Sequence, residues 1–193
     1  MRDELQCNDV HSRLNPTRVA RVQHPVNEAE VSAAIVQAAH QGLAVSVCGA
    51  RHAMGGQQFG AGTVLLDLSH ANSIGPVDPE RGVVEVGAGV TWPELVEELL
   101  KQQAGAAQVW SIRQKQTGAD DLTLGGSLGA NAHGRGLSMQ PIVDDVEAFT
   151  LVQAEGEVVR CSRTQNQDLF SLAIGGYGCF GVIISICLRL GPR

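Results

Sequence analysis

Residues 44–57 read AVSVCGARHAMGGQ, a short apolar run followed at once by a loop of small residues. The run Ala44–Cys48 follows a turn and is predicted to form a buried strand. Small residues at 49, 50 and 53 leave the backbone N–H groups of the loop uncovered, and consecutive uncovered N–H groups bind anions. A diphosphate could lie along this loop, with Arg51 and Gln57 nearby. The alternative is a tight turn in which the glycines serve only backbone geometry.

The first half of the chain mixes helix and strand patterns around this loop. A capping box that starts at Asn27 predicts a helix over Glu28–Gln41. Apolar runs predict strands at 63–68 and 82–86, and a second capping box at Thr91 predicts the helix that follows.

The second half is richer in hairpins. Strand patterns at 145–153 and 157–161 flank a short turn, a helix pattern covers 168–174, and a long strand pattern covers 181–190. The order of elements predicts an α+β fold with two lobes. A small mixed or parallel sheet with helices comes first, and a mainly antiparallel sheet with helices follows.

The domain organisation is predicted from periodicity and turn residues. Residues 1–17 are polar and lack periodicity, so we expect a loosely held N-terminal arm. Residues 18–193 form one predicted domain of two subdomains, with a boundary at about 75–90 or, alternatively, at 105–120. The stretch 74–79, IGPVDP, is rich in turn residues and favours the first position.

Two further segments are rich in glycine. Residues 123–134 read TLGGSLGANAHG, in a stretch that looks helical although glycine costs about 1 kcal/mol against alanine in a helix. Either a flat ligand pressed on the backbone or close helix–strand packing would explain these glycines. Residues 175–181 read GGYGCFG and contain GxGxxG. Because this motif follows a predicted helix and opens a strand, the reverse of what a nicotinamide-dinucleotide site needs, that site is excluded.

The composition argues against several functional classes. A formal net charge of -6 with 4% aromatic residues argues against a nucleic-acid partner. No apolar run reaches the roughly 18 residues of a membrane span, and the N-terminus lacks the apolar region of a signal peptide, so we expect no membrane association and a cytoplasmic location. Five cysteines without a CxxC pair fit a reducing compartment, and the six histidines show no metal-ligand spacing, so no metal is expected.

Taken in order, these segments resemble one family. The series is GARHAMGGQ at 49–57, LLDL at 65–68, VEVGAGVTW at 84–92, TLGGS at 123–127, AHGRG at 132–136 and GGYGCFGVI at 175–183. It resembles the FAD-binding domain shared by vanillyl-alcohol oxidase, aldonolactone oxidases, cytokinin dehydrogenases and decaprenylphosphoryl-ribose oxidases. The resemblance runs from about Arg18 to Leu190.

The resemblance implies FAD as the cofactor and assigns contacts to residues of this chain. The first glycine loop would wrap the diphosphate, the second segment would lie along the diphosphate, ribityl chain and flavin edge, and the backbone of the last strand would meet the adenine. The implied residues are, for the first loop, Val47, Cys48, Gly49, Ala50, Arg51, His52, Ala53 and Gln57; for the second segment, Gly118, Thr123, Leu124, Gly125, Gly126, Ser127, Ala130, Asn131, Ala132 and His133; and for the adenine, Val182.

The resemblance raises two questions about histidines. In several branches of the family the residue at the position of His52 is a histidine bonded covalently to the flavin C8 methyl group, and other branches bind FAD non-covalently. Ala53 stands where the covalent branches usually carry serine, so both modes stay open, and no cysteine lies in the loop that leads to Thr123 to make a second covalent bond. His133 is expected to contact the cofactor; the alternative is a packed histidine bonded to the backbone.

The resemblance implies an FAD-dependent oxidoreductase that oxidises a small-molecule substrate, an alcohol, a sugar derivative or a lactone, by hydride transfer to the flavin. Family members are commonly more than twice as long and carry a substrate domain after the last strand, so we expect that domain to be absent from these 193 residues. No catalytic residue is assigned. One alternative is an FAD-binding module that is inactive without a separate substrate domain or partner chain, and another is a remnant that holds no flavin.

Overall fold

The computed structural model describes residues 4–115, 120–134, 136 and 138–193. A three-stranded parallel sheet in the order β3–β5–β4 carries the first glycine loop. Its strands are β3 (Arg21–Gln23), β4 (Val45–Cys48) and β5 (Val64–Asp67), and helix α1 (Glu28–His40) connects β3 to β4. The Asn27 side chain accepts from the Glu30 backbone N–H, so the predicted cap starts this helix.

A six-stranded antiparallel sheet follows the parallel sheet along the chain. Its order is β10–β9–β11–β7–β6, and β8 pairs with the far end of β11. Three helices accompany it, and α3 packs against β11. The bounds are β6 (Ile74–Asp78), β7 (Val83–Gly87), α2 (Trp92–Gln102), β8 (Trp110–Ile112), α3 (Leu124–Gly129), β9 (Val146–Val152), β10 (Val158–Ser162), α4 (Gln167–Ala173) and β11 (Val182–Pro192).

The two sheets share apolar packing. The larger core cluster lies within the antiparallel part, around the fully buried Trp92 and Phe149. A second cluster joins Leu66 of β5 to Val182 and Ile184 of β11. Burial of apolar side chains is the main force that holds such a domain together. The second cluster also fixes the parallel sheet against β11, which brings the first and last glycine segments to the same side of the molecule.

The predicted α+β fold with a parallel and an antiparallel sheet is confirmed. The stretch 74–79 is rich in turn residues but is not a loop, because Ile74–Asp78 forms edge strand β6. Its pairing with β7 is irregular between Ile74 and Val77, where Pro76 stands. Proline is tolerated at such a place because an edge strand leaves one row of N–H groups unpaired.

The expectation of a loosely held N-terminal arm is also wrong for the described residues. Strands β1 (Gln6–Cys7) and β2 (Thr17–Arg18) pair with each other. Cys7 is buried in a cluster with Cys48 and Leu65. The segment has no periodicity because it packs through single residues and through polar contacts.

No helix in the described part of the chain is long and apolar enough to cross a membrane.

Candidate cofactor site

The three glycine-rich segments converge on one cavity of about 370 Å³. A second cavity of about 380 Å³ adjoins it and shares Val47, Gly178 and Val182 with its wall. Together they form a groove that follows the junction of the two sheets. The two adjoining cavities leave room for a ligand that extends from one into the other.

Fifteen of the nineteen residues implied by the resemblance line the main cavity. Of the other four, Leu124 is fully buried in the core, and Asn131 points its Oδ1 at the backbone N–H of Val143. His133 is exposed, with Nδ1 2.9 Å from the Gly134 carbonyl oxygen. Gly118 lies outside the described residues.

The first loop presents open backbone amides to this cavity. Within the described ranges, the amides of residues 50–53 donate to no other protein group. Arg51 has φ 58°, in the left-handed region, and its carbonyl oxygen accepts from the Val10 N–H at 3.1 Å. A left-handed residue within such a run turns successive N–H groups towards one point, and that geometry binds anions.

The Arg51 side chain is engaged inside the protein. Its Nη2 lies 2.6 Å from Asp67 Oδ2, and the Asp67 carboxylate is 7% exposed. The pairing register sets Cys48 beside Asp67, which brings the start of the loop next to the end of β5. Burial alone raises the pKa of Asp67, but hydrogen bonds from Ser69 and Arg51 outweigh burial and hold that pKa below its usual range.

The thiol at the start of the loop is not a nucleophile at neutral pH. Burial raises the pKa of Cys48 to about 12. Cys48 therefore contributes packing to this wall.

Helix α3 behaves differently, because the protein itself satisfies its first amides. Leu124 N–H donates to the Val90 carbonyl and Gly125 N–H to the Ala88 carbonyl, each at 2.8 Å. The Gly126 N–H donates to Thr123 Oγ1 at 3.2 Å. The start of α3 therefore has no free backbone N–H for a phosphate, and a six-residue helix has only a small dipole.

The glycines at this junction are explained by close packing. A Cβ on Gly49 would overlap Thr123 Oγ1, and a Cβ on Gly125 would lie 2.7 Å from the Ala88 Cβ. Gly129 differs, since nothing lies within 4 Å of its Cβ position although it lines the cavity. Of the two explanations that the sequence left open, close packing holds for Gly125, and room for a ligand is compatible with Gly129.

Buried polar atoms of two side chains in the cavity wall lack partners in the described structure. They are Ser127, through Oγ, and Gln58, through both Oε1 and Nε2. Leaving such atoms unpaired costs about 1–3 kcal/mol each. A ligand with phosphate oxygens for the open amides and polar atoms for Ser127 and Gln58 would satisfy all three, so the residues present fit a dinucleotide cofactor.

The sequence interpretation missed several residues of the wall. Tyr177 and Phe180 stand at the third glycine segment, and both side chains are exposed. That segment follows α4 and opens β11, as predicted when its GxGxxG pattern was rejected. The lining residues outside the implied set are Gln58, Leu68, Ala88, Leu122, Gly129, Ala173, Tyr177, Gly178, Phe180, Gly181 and Ile183. Gln58 adjoins Gln57, and its polarity was the only feature of the sequence that could have indicated a place in the cavity wall.

His52 also lines the cavity, and its Nδ1 lies 2.7 Å from His11 Nε2. Among the residues described, no group of three or more His, Cys, Asp or Glu side chains is placed to hold a metal ion.

Fold and cavity together define an α+β domain built to hold an extended, phosphate-bearing cofactor. A family model described as "FAD binding domain" matches residues 19–162. The chain belongs to this family, and its cofactor is FAD. The resemblance inferred from the glycine segments is thereby confirmed.

The chain is similar to longer proteins. L-gulonolactone oxidase of Mus musculus is 28% identical over 88% of this chain, and cytokinin dehydrogenase 5 of Oryza sativa subsp. japonica is 32% identical over 98%. Each match covers 37% of the relative, so the chain spans less than two fifths of their length. A solved chitooligosaccharide oxidase shares the fold, with a TM-score of 0.76 at 22% identity over 97% of this chain and 38% of that one.

Proposed function

We propose that this chain is the cofactor-holding part of an FAD-dependent oxidoreductase that oxidises a small alcohol, a sugar derivative or a lactone. The observation that carries the proposal is the convergence, in one cavity, of four open amides and two unpartnered polar side chains. One relative, L-gulonolactone oxidase, is named for a lactone substrate, which supports the substrate class.

The chain's own part in the reaction is to bind and orient. The amides of residues 50–53 would hold the diphosphate, and Ser127 and Gln58 would each satisfy a polar group of the cofactor. Gly129 leaves space for the cofactor beside α3, and Tyr177 would cover part of it. The chemistry that bound FAD supplies is acceptance of a hydride from a substrate carbon, and the protein provides position and surroundings.

Neutral donors would do most of the phosphate binding. The formal net charge of the chain is -6. Among the described residues that line the cavity, Arg51 is the one with a positively charged side chain, and it is already paired with Asp67. Amide dipoles bind a phosphate without the cost of burying a further charge. We therefore expect FAD affinity to depend only weakly on salt.

A second candidate is an FAD-binding module that turns over only with a substrate domain or a partner chain. The observation that favours it is the exposure of two aromatic side chains in the cavity wall, Tyr177 at 63% and Phe180 at 39%. Aromatic residues exposed together at a ligand cavity commonly mark a contact surface.

The flavin spectrum of the purified protein tests the proposal. We expect a yellow protein that binds FAD with one-to-one stoichiometry in calorimetry. Bleaching by an added polyol or lactone would indicate oxidoreductase activity, and flavin absorbance without bleaching would favour the module. A colourless protein that binds no FAD in calorimetry would overturn both.

The mode of attachment at His52 is tested by acid precipitation. A yellow pellet indicates a covalent bond, and a yellow supernatant above a colourless pellet indicates non-covalent binding.

A further inference from the structure

The N-terminal segment, residues 5–17, folds around one buried carboxylate. Asp9 is 2% exposed and accepts hydrogen bonds from the backbone N–H groups of His11 at 2.8 Å and Ser12 at 2.6 Å. The Ser12 hydroxyl donates to its other oxygen at 2.9 Å. Several donors on one carboxylate fix a tight turn, because each bond to an ionised group is stronger than a neutral one.

The N-terminal segment is attached to the first glycine loop along its length. Val10 N–H donates to the Arg51 carbonyl, as described above, and Asn15 Nδ2 donates to the Met54 carbonyl at 2.8 Å. Gly56 has φ 70°, and a Cβ there would lie 2.8 Å from the Asn15 Cβ. The loop that presents the open amides is therefore held from behind by the N-terminal segment.

The turn around Asp9 delivers one imidazole to another. His11 Nε2 and His52 Nδ1 are 2.7 Å apart, and the ring centroids are 4.8 Å apart. Two imidazoles at this distance share one hydrogen, so one ring donates and the other accepts. Because Nδ1 of His52 is occupied, Nε2 is the ring nitrogen that remains for a ligand in the cavity.

We propose that His11 is a positioning residue for His52 and that the N-terminal segment belongs to the cofactor site. His11 fixes the orientation of the His52 ring and selects the nitrogen that carries its hydrogen. The family match begins at residue 19, so the segment lies before the part of the chain that the family describes. The inference about cofactor affinity rests on the proposed function, whereas the inference about the His52 ring does not.

The test compares His11→Ala, His11→Gln and His24→Ala in the full chain. Glutamine can restore a hydrogen bond to His52 Nδ1 and alanine cannot. His24 stacks on His70 with centroids 5.1 Å apart and neither lines the cavity, so His24→Ala removes an imidazole from a comparable pair elsewhere. Two quantities are measured: the ring nitrogen signals of His52 by NMR in the FAD-free protein, and the Kd for FAD.

We expect His11→Ala to shift the His52 ring nitrogens towards a mixture of both neutral forms and to raise the Kd for FAD about fivefold, the change that one lost hydrogen bond commonly produces. His11→Gln should restore both quantities to near the native values. His24→Ala should change neither.

Unchanged His52 signals in both His11 variants would overturn the positioning role, whatever their stability. A native Kd for FAD in His11→Ala would overturn the proposed role of the N-terminal segment in cofactor binding. If the native protein binds no FAD, the proposed function fails, and the His52 signals still decide the role of His11.

Discussion

The first glycine loop and helix α3 are both rich in glycine and have opposite hydrogen-bonding states. In the part of the chain that the structure describes, the amides of residues 50–53 have no protein acceptor, whereas those of residues 124–126 are all bonded within the protein. The loop can therefore bind an anion through its backbone, and α3 cannot. Glycine content marks both segments, but only the accounting of backbone donors separates a binding loop from a packing junction.

The difference arises from what surrounds each segment. Helix α3 begins beside the chain that leads out of β7, whose Ala88 and Val90 carbonyls accept its first amides. The loop leaves β4, an edge strand of the parallel sheet, and the start of the loop is held by the pair of Arg51 and Asp67. We therefore expect substitutions in the loop to change FAD affinity and substitutions at the start of α3 to change mainly stability.

The largest effect is expected from Gly49→Ala. The added methyl group would overlap Thr123, and overpacking of this kind costs about 2 kcal/mol. We expect FAD affinity to fall about thirtyfold, since the loop must move to accept the methyl group. Thermal unfolding should occur about 5 °C lower. Gly129→Ala is the stability control, because its Cβ position is open; native stability and affinity in Gly49→Ala would contradict the packing argument.

The next largest effect is expected from Asp67→Asn, and its sign separates two roles for Arg51. If Arg51 holds the loop through Asp67, FAD affinity falls about tenfold, or about 1.4 kcal/mol. If Arg51 binds phosphate directly, releasing it from Asp67 tightens binding. We expect the weakening, measured by calorimetry.

Glu85→Gln is the matched control for Asp67→Asn. Glu85 pairs with Arg160 at 2.7 Å, and neither residue lines the cavity. This substitution should lower stability and leave FAD affinity unchanged. Acid tests the Asp67 pair in the native chain. Because the folded pKa of Asp67 is lowered, its stabilising contribution is complete above the unfolded value of about 3.9 and is lost as the pH falls through the folded pKa.

A smaller effect is expected from Ser127→Ala, and its sign differs between the stability of the FAD-free protein and the binding of FAD. In the FAD-free protein the buried Oγ has no partner within the described residues, so its removal should leave stability unchanged or raise it. Binding of FAD should weaken about fivefold, because the cofactor loses a hydrogen bond. Equal losses in both states would show that Ser127 is a packing residue only.

The smallest effect on binding is expected from Thr123→Val. The substitution removes the hydroxyl that caps α3 and should destabilise the protein by about 1 kcal/mol. FAD affinity should change less than about twofold, because α3 does not supply the phosphate donors. A tenfold loss would place the diphosphate at α3 instead.

The sequence predicted those parts of the fold that depend on local signals. The Asn27 cap, the hairpin of β9 and β10 and the long strand β11 all carry such signals, and the glycine segments predicted the family and FAD. The short strands β3, β6 and β8 were missed because three to five residues carry little periodicity and pair through distant partners.

The site was predicted less completely than the fold. Residues 123–127 were expected along the diphosphate because they are rich in glycine, but whether their amides are free depends on carbonyls more than 30 positions earlier in the chain. The same limit applies to Arg51, since nothing in the sequence shows that Asp67 neutralises it. Gln58 and His11 were missed because their roles follow from tertiary contacts alone.

Hydrogen exchange of backbone amides, measured with and without FAD, tests most directly whether the loop is the phosphate-binding element. We expect the amides of residues 50–53 to exchange rapidly in the free protein and to become protected when FAD binds. Those of residues 124–126 should be protected in both states. Rapid exchange at 124–126 that only FAD suppresses, with no change at 50–53, would contradict the assignment.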